Sequence, residues 1–183
     1  LQENLPELGH IINYIPNFPA YGMARLGMVI VVGAIIASMG AAMYMYTQYQ
    51  TNYVTANAGE PVIVGPVEYF ITFDGTHNGD KNTKPENTFV KIRINAENIS
   101  DEKTRMSGGQ FYLVDENQTM HQATYGAFSP EDLLEDWLEP GKPVSWTTQF
   151  DVPYDANEKL SVTIKPTKQQ STVDVGNVCI VNC

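Results

Sequence analysis

An all-β antiparallel sandwich with one short inserted helix, preceded by a single N-terminal transmembrane α-helix, is the fold class this sequence predicts. Three observations carry that reading. The run Leu26 to Tyr46 contains no charged residue, and none appears again until Glu60, which meets the roughly 20 apolar residues needed to cross a bilayer. After Glu60, short stretches alternate apolar and polar residues with turn-forming residues between them, the pattern of half-buried strands in a sandwich. The chain has 183 residues, and what remains outside the apolar run suits one domain of about 110–130 residues.

The expected organisation is an apolar, proline-broken segment over 1–25, the transmembrane helix over 26–48, a linker over 49–59 and the β-domain over 60–183. Pro6, Pro16 and Pro19 interrupt the first segment, whose apolar character places it on a membrane surface or a neighbouring subunit. A cleaved signal peptide is the competing reading of the apolar run, through the small residues around Ala37-Ser38-Met39. The run's length and late start favour a retained anchor. Tyr44, Tyr46, Tyr49 and Tyr53 cluster at its C-terminal end and Arg25 stands at its N-terminal end, an arrangement that puts the N-terminus in the cytoplasm and the β-domain outside it. Gly33, Ala37 and Ala41 recur four apart, with Ala34, Ser38 and Ala42 beside them. Such a smooth face admits a second transmembrane helix as partner.

Within the β-domain, Val67, Tyr69, Ile71 and Phe73 alternate with polar residues, as do Val90, Ile92 and Ile94. Each set predicts a strand with one buried face. Further strands are expected at Gln110 to Val114, Thr119 to Tyr125, Val144 to Phe150, Lys159 to Ile164 and Val178 to Val181, and Asp115-Glu116-Asn117-Gln118 reads as a hairpin turn. The inserted helix is expected from Ser129 as N-cap through Pro130, Glu131 and Asp132, with Leu133, Leu134, Trp137 and Leu138 on one face and Pro140-Gly141 as the stop.

The succession TFVKIRINAENIS, QFYLVDENQTMHQAT and LEPGKPVSWTTQFDVPYDANEKLSVTI resembles the telokin-like, immunoglobulin-fold family of extracytoplasmic domains of unknown function in prokaryotic envelope proteins and lipoproteins. The resemblance spans Glu60 to Ile164 and implies an immunoglobulin-like sandwich without catalysis. This chain departs from that family in having a helix where a lipobox cysteine would stand and an insertion from Asp74 to Glu86.

Candidate sites are few. Asp74, Asn78, Asp80, Asn82 and Glu86 lie in the insertion, where oxygen ligands at such spacing can wrap Ca²⁺, although the same residues build ordinary turns. No other cofactor is expected. Cys179 and Cys183 would lie about 13 Å apart on a straight strand, too far for a disulfide, so a bridge requires the last residues to turn back. Copper or zinc would need His77 or His121 to join those cysteines. Asn98-Ile99-Ser100 and Asn117-Gln118-Thr119 are glycosylation acceptor triplets. The pairs Glu131-Asp132 and Glu135-Asp136 read as a solvated helix face. There is neither a Gly-x-Ser-x-Gly elbow nor a local Cys and His signature.

The net charge is −10, nearly all of it after Tyr53, and the basic residues are interleaved with carboxylates, which excludes a phosphate-tracking stripe and with it nucleic acid as a partner. The expected function is a non-catalytic accessory or structural subunit of a membrane-bound assembly, touching other transmembrane helices and an extracytoplasmic protein. Alternatives are an accessory subunit of a membrane oxidase or monooxygenase, an envelope filament or surface-layer anchor, and a ligand-binding module.

Overall fold

The computed structural model describes residues 20–81, 83–124 and 128–183, which leaves most of the expected 1–25 segment outside it, and the helix begins within that segment, at Ala20 rather than Leu26. They form two units: the helix α1 (Ala20–Gln48) and a β-domain from Gln50 onward. From Arg25 to Gln48 α1 has a mean hydropathy of 2.3. At 1.5 Å per residue those residues span about 36 Å, enough for a hydrocarbon core of ~30 Å.

The β-domain contains β1 (Asn52–Asn57), β2 (Pro61–Val64), β3 (Val67–His77), β4 (Thr88–Asn98), β5 (Thr104–Ser107), β6 (Phe111–Val114), β7 (Met120–Gln122), β8 (Glu135–Leu138), β9 (Pro143–Val152), β10 (Leu160–Ile164) and β11 (Asp174–Val181). A five-stranded sheet is ordered β1-β11-β10-β6-β7, a four-stranded sheet β2-β3-β4-β9, and β5 pairs with β8. The core lies where Tyr69, Ile71, Ile92 and Phe150 of the four-stranded sheet meet Phe111, Leu113, Val162 and Val178 of the five-stranded one. Their alternation along the sequence is the period-2 pattern of strands with one inward face. The hairpin at Asp115 to Gln118 joins β6 to β7 as expected.

Three features depart from the sequence reading. The expected linker holds β1, which runs parallel to β11 in register Asn52↔Asp174 through Asn57↔Cys179, so the sandwich is not wholly antiparallel. Asn52 Nδ2 donates to Asp174 Oδ1 at 2.9 Å and starts that pairing. The bonds from Asn52 and Thr172 hold the Asp174 carboxyl below its ordinary range. Second, β2, β5 and β8 are four residues each, too short for alternation to stand out from background.

Third, the helix expected from Ser129 to Leu138 does not form. Asp132 Oδ2 accepts the N–H groups of Phe128 and Ser129 and closes a turn. The backbone beyond is taken by the edge of β9: Thr147 N–H donates to Glu131 O and Leu133 N–H to Thr147 O, each at 2.8 Å. A short isolated helix is marginal, and an uncovered strand edge offers its backbone groups a stronger alternative. Leu133 and Leu138 are buried while Leu134 and Trp137 are half exposed, so the supposed helical face is divided. Trp137 lies on the outer face of β8 with Lys103 and Arg105 against its ring.

A buried polar cluster joins the sheets. Tyr69 Oη accepts from Gln170 Nε2 at 2.9 Å and from Gln110 Nε2 at 3.3 Å, and Gln110 Nε2 also reaches Lys165 O. Burial pushes the Tyr69 hydroxyl up to about 12, against the two side-chain hydrogen bonds, which lower it. The unfolded chain releases this proton near pH 10 and the folded protein holds it. Its contribution is therefore complete below pH 10 and declines by about 2–3 kcal/mol as the pH rises to 12. Urea denaturation across that range should show the decline, and Tyr69→Phe should abolish it. That substitution should also cost about 1–3 kcal/mol at neutral pH, because both glutamines lose an acceptor.

Candidate functional site

The outer face of the four-stranded sheet carries a polar cleft of about 310 Å³ lined by Asp74, His77, Lys91, Phe128, Ser129 and Gln149, among others. Strand register explains the grouping. On β4, Phe89, Lys91 and Arg93 face away from the core and stand beside Asp151, Gln149 and Thr147 of β9. On β3 the odd-numbered residues Val67 to Phe73 face inward, and continued alternation would carry His77 inward as well. A bulge between Phe73 and Thr76 inserts one residue and pairs His77 with Phe89 instead. Gly75 makes this bend at φ 100°, a backbone region that side chains resist. The inserted residue transfers His77 from the core face to the cleft.

Hydrogen bonds define the state of this histidine. The Gly79 N–H donates to Nδ1 at 3.1 Å, so Nδ1 is the acceptor. Nε2 then carries the proton of the neutral ring and donates it to Gln149 Oε1 at 2.7 Å. The ring packs against Phe89 and Phe128 with centroids 5.1 and 6.0 Å away. Beside it Asp74 pairs with Lys91 at 3.5 Å and Arg93 at 3.3 Å, and Arg93 extends to Glu131 at 3.2 Å. Bonds from Glu131 and the charge of Asp74 raise the Arg93 guanidinium above its ordinary value. The segment from Phe128 to Leu133 forms the opposite wall, held by Asp132 Oδ1 on the Thr147 hydroxyl at 2.9 Å.

Asp74, Asp80 and Glu86 do not gather into a metal-holding group. Asp74 is engaged with cations, Asp80 Oδ1 accepts from Thr83 N–H, Glu86 presents its backbone N–H to Asp151, Asn78 is exposed, and Asn82 lies outside the described residues. Among the described residues no three His, Cys, Asp or Glu side chains form a metal-holding group. His121 bonds Asp115 Oδ2 at 3.0 Å. Burial pushes the Asp115 carboxyl up, but the bonds from His121 and Thr119 outweigh it and hold it below its ordinary range. Neither histidine joins Cys179 and Cys183, which form a disulfide with Cα atoms 5.7 Å apart. The required turn back occurs at Asn182, at φ 52°, whose side-chain amide grips Ala156 O and Glu158 O.

Asn98 is not accessible as a glycosylation acceptor in the folded domain. It is fully buried, and its Nδ2, the atom a glycan would join, donates to Glu102 O and Leu138 O. Asn117 stands exposed in the β6–β7 turn. Glu135 pairs with Arg105, and Asp136 accepts from Trp146 Nε1, so the acidic pairs act on neighbouring strands rather than along a helix. On α1, Gly33, Ala34, Ala37, Ser38, Ala41 and Ala42 are all exposed, and a Cβ at Gly33 would meet nothing within 4 Å. Of the cleft residues, Asp74 and His77 stood out in the sequence as ligand candidates. Gln149, Lys91 and Phe128 gave no signal, because their grouping depends on strand register and on the displaced segment.

Residues 56–173 match the family described as a domain of unknown function, DUF4352. The chain belongs to this family. The matched part runs from β1 to just before β11, and α1 lies outside it. A comparison with curated proteins finds no match. Among solved structures, the DUF4352 domain is similar to the yjhA protein from Bacillus subtilis, with a TM-score of 0.55 at 16% identity over 68% of this chain and 98% of that one. It is also similar to the secreted protein MPT63 from Mycobacterium tuberculosis, with a TM-score of 0.53 at 8% identity over 72% and 98%. A candidate lipoprotein (ycdA) from Bacillus subtilis subsp. subtilis str. 168 gives a TM-score of 0.50 at 14% identity, over 66% of this chain and 38% of that one. At these identities the likeness is one of fold.

The Gly75 bulge is open to a direct test. An added Cβ would meet nothing within 4 Å, so Gly75→Ala reports backbone strain alone. It should destabilise the domain by about 1–3 kcal/mol in chemical denaturation.

Proposed function

We propose that this chain is a non-catalytic accessory or structural subunit of a membrane-bound multiprotein assembly. In this reading α1 is a single-pass anchor with its N-terminus in the cytoplasm, and the DUF4352 domain, of the telokin-like immunoglobulin type, docks on an extracytoplasmic protein. The observation that carries the reading is α1 itself. Its apolar residues are exposed along the whole length from Leu26 to Met45, including Met28 at 71% and Ile36 at 66%. Exposed apolar surface of that extent needs lipid or other helices around it.

Three further points support the reading. The Cys179–Cys183 disulfide suits an oxidising compartment. MPT63 is a secreted protein, and we extend an extracytoplasmic address to this domain. In the cleft, both nitrogens of His77 are engaged, an arrangement suited to holding a surface in shape rather than to moving protons.

Solubilising native membranes in mild detergent, purifying the protein and counting the co-purifying chains by mass spectrometry tests the proposal. We expect unrelated membrane proteins at a fixed low ratio. Redox subunits among them would identify the oxidase or monooxygenase alternative. Recovery of the chain alone, or only with copies of itself, would reject the accessory reading and favour a filament or surface-layer anchor.

A further inference from the structure

Gln149 is 2% exposed, and its orientation is forced. Because Gly79 N–H occupies Nδ1 of His77, the ring can present only a donor at Nε2, so Gln149 must turn its oxygen toward it. Its Nε2 is thereby directed elsewhere and has no hydrogen-bond partner among the described residues. That donor belongs to a residue lining the cleft.

The surrounding groups also retain capacity. The Ser129 oxygen accepts from Glu131 N–H, which leaves its O–H to donate. Lys91 contacts Asp74 alone among the described acids, so part of its ammonium is available. Asp74 meets its cations through Oδ2, and its Oδ1 remains as an acceptor. Donors and one acceptor therefore converge.

Charge narrows the choice of ligand. The charges of Lys91 and Asp74 already face each other, and Arg93 bridges Asp74 to Glu131. A neutral group that both donates and accepts uses the capacity left over and leaves these pairs in place. Phe128 offers an apolar surface at the rim, backed by Phe89 with ring centroids 5.1 Å apart. A cleft of about 310 Å³ sits at the lower end of the ~300–1,000 Å³ found for small-molecule sites, which limits the occupant to one ring.

We propose that this cleft binds a single neutral saccharide unit, its hydroxyl groups on Gln149 Nε2, Lys91, Ser129 and Asp74 and its C–H face toward Phe128. The site goes beyond the accessory-subunit reading and does not depend on it. A docking domain with such a site would recognise glycan on its partner or in the surrounding envelope.

The test uses the full chain in a polyoxyethylene detergent, since alkyl-glycoside detergents would themselves compete. Saturation-transfer NMR and calorimetry with the methyl glycosides of glucose, galactose, mannose and N-acetylglucosamine should reveal millimolar binding of at least one of them, or about −4 kcal/mol. Gln149→Glu keeps the oxygen that His77 needs and removes the amide donor, so it should weaken binding about tenfold, worth ~1.4 kcal/mol. Ser129→Ala, outside the core, should weaken it about threefold, at ~0.7 kcal/mol. An unchanged urea transition in each variant shows that the fold is intact. The proposal is overturned if no glycoside binds to the folded protein, if both variants bind as the wild type does, or if a neutral peptide such as acetyl-glycine methylamide binds in preference to every sugar.

Discussion

The buried amide cluster around Tyr69 is the constraint on which the rest of the domain depends. Tyr69 belongs to the four-stranded sheet, Gln110 immediately precedes β6 of the five-stranded sheet, and Gln170 lies in the connection from β10 to β11. Gln170 also reaches the Arg105 carbonyl on β5. One hydroxyl and two amides thus tie together all three sheets. Apolar contacts alone would let sheets slide, because burial is non-directional. A hydrogen-bonded network in a low-dielectric interior accepts one arrangement and penalises others. Gln110 also accepts Ser107 N–H through its oxygen and closes the tight turn before β6, so the same side chain sets both a local bend and the distance between sheets.

Once the sheets are held, the outer face of the four-stranded sheet is decided by register. The inward faces of β3, β4 and β9 follow hydrophobic alternation, and their outward residues come along by geometry. The bulge at Gly75 is the exception that creates a site, since it changes the face of everything after it on β3. The segment from Phe128 to Leu133 then covers the exposed edge of β9 and walls the cleft. Covering an edge is a general need of open sheets, and here the cover brings Ser129 and Phe128 to the polar groups of the sheet. Stability and site formation share the same hydrogen bonds, those of Asp132 and Thr147.

The two units place their apolar residues differently. The β-domain buries its apolar residues in its own core, while α1 exposes its own throughout. β1 begins a few residues after α1 ends, and its parallel pairing with β11 brings the first strand of the domain and the disulfide-closed end of β11 into one sheet. The family match covers neither α1 nor β11.

The sequence by itself determined the apolar helix, the all-β class, the long strands, the β6–β7 hairpin and the need for a turn back if Cys179 and Cys183 were to bond. Each rests on short-range periodicity or on reach along the chain, which a sequence displays directly. Tertiary structure decided the rest. Thr147 on β9 offered backbone partners that dissolved the helix expected at Ser129 to Leu138, although its capping residues and apolar spacing were in place. Asn98 read as a surface acceptor until its amide was found between two carbonyls contributed by other segments. The cleft was the least legible, because Gln149 and Lys91 are adjacent only through β4–β9 register, and His77 joins them only through one inserted residue. Period-2 alternation tells which side chains share a face within a strand. It does not tell which strands lie side by side, and a bulge reverses the answer.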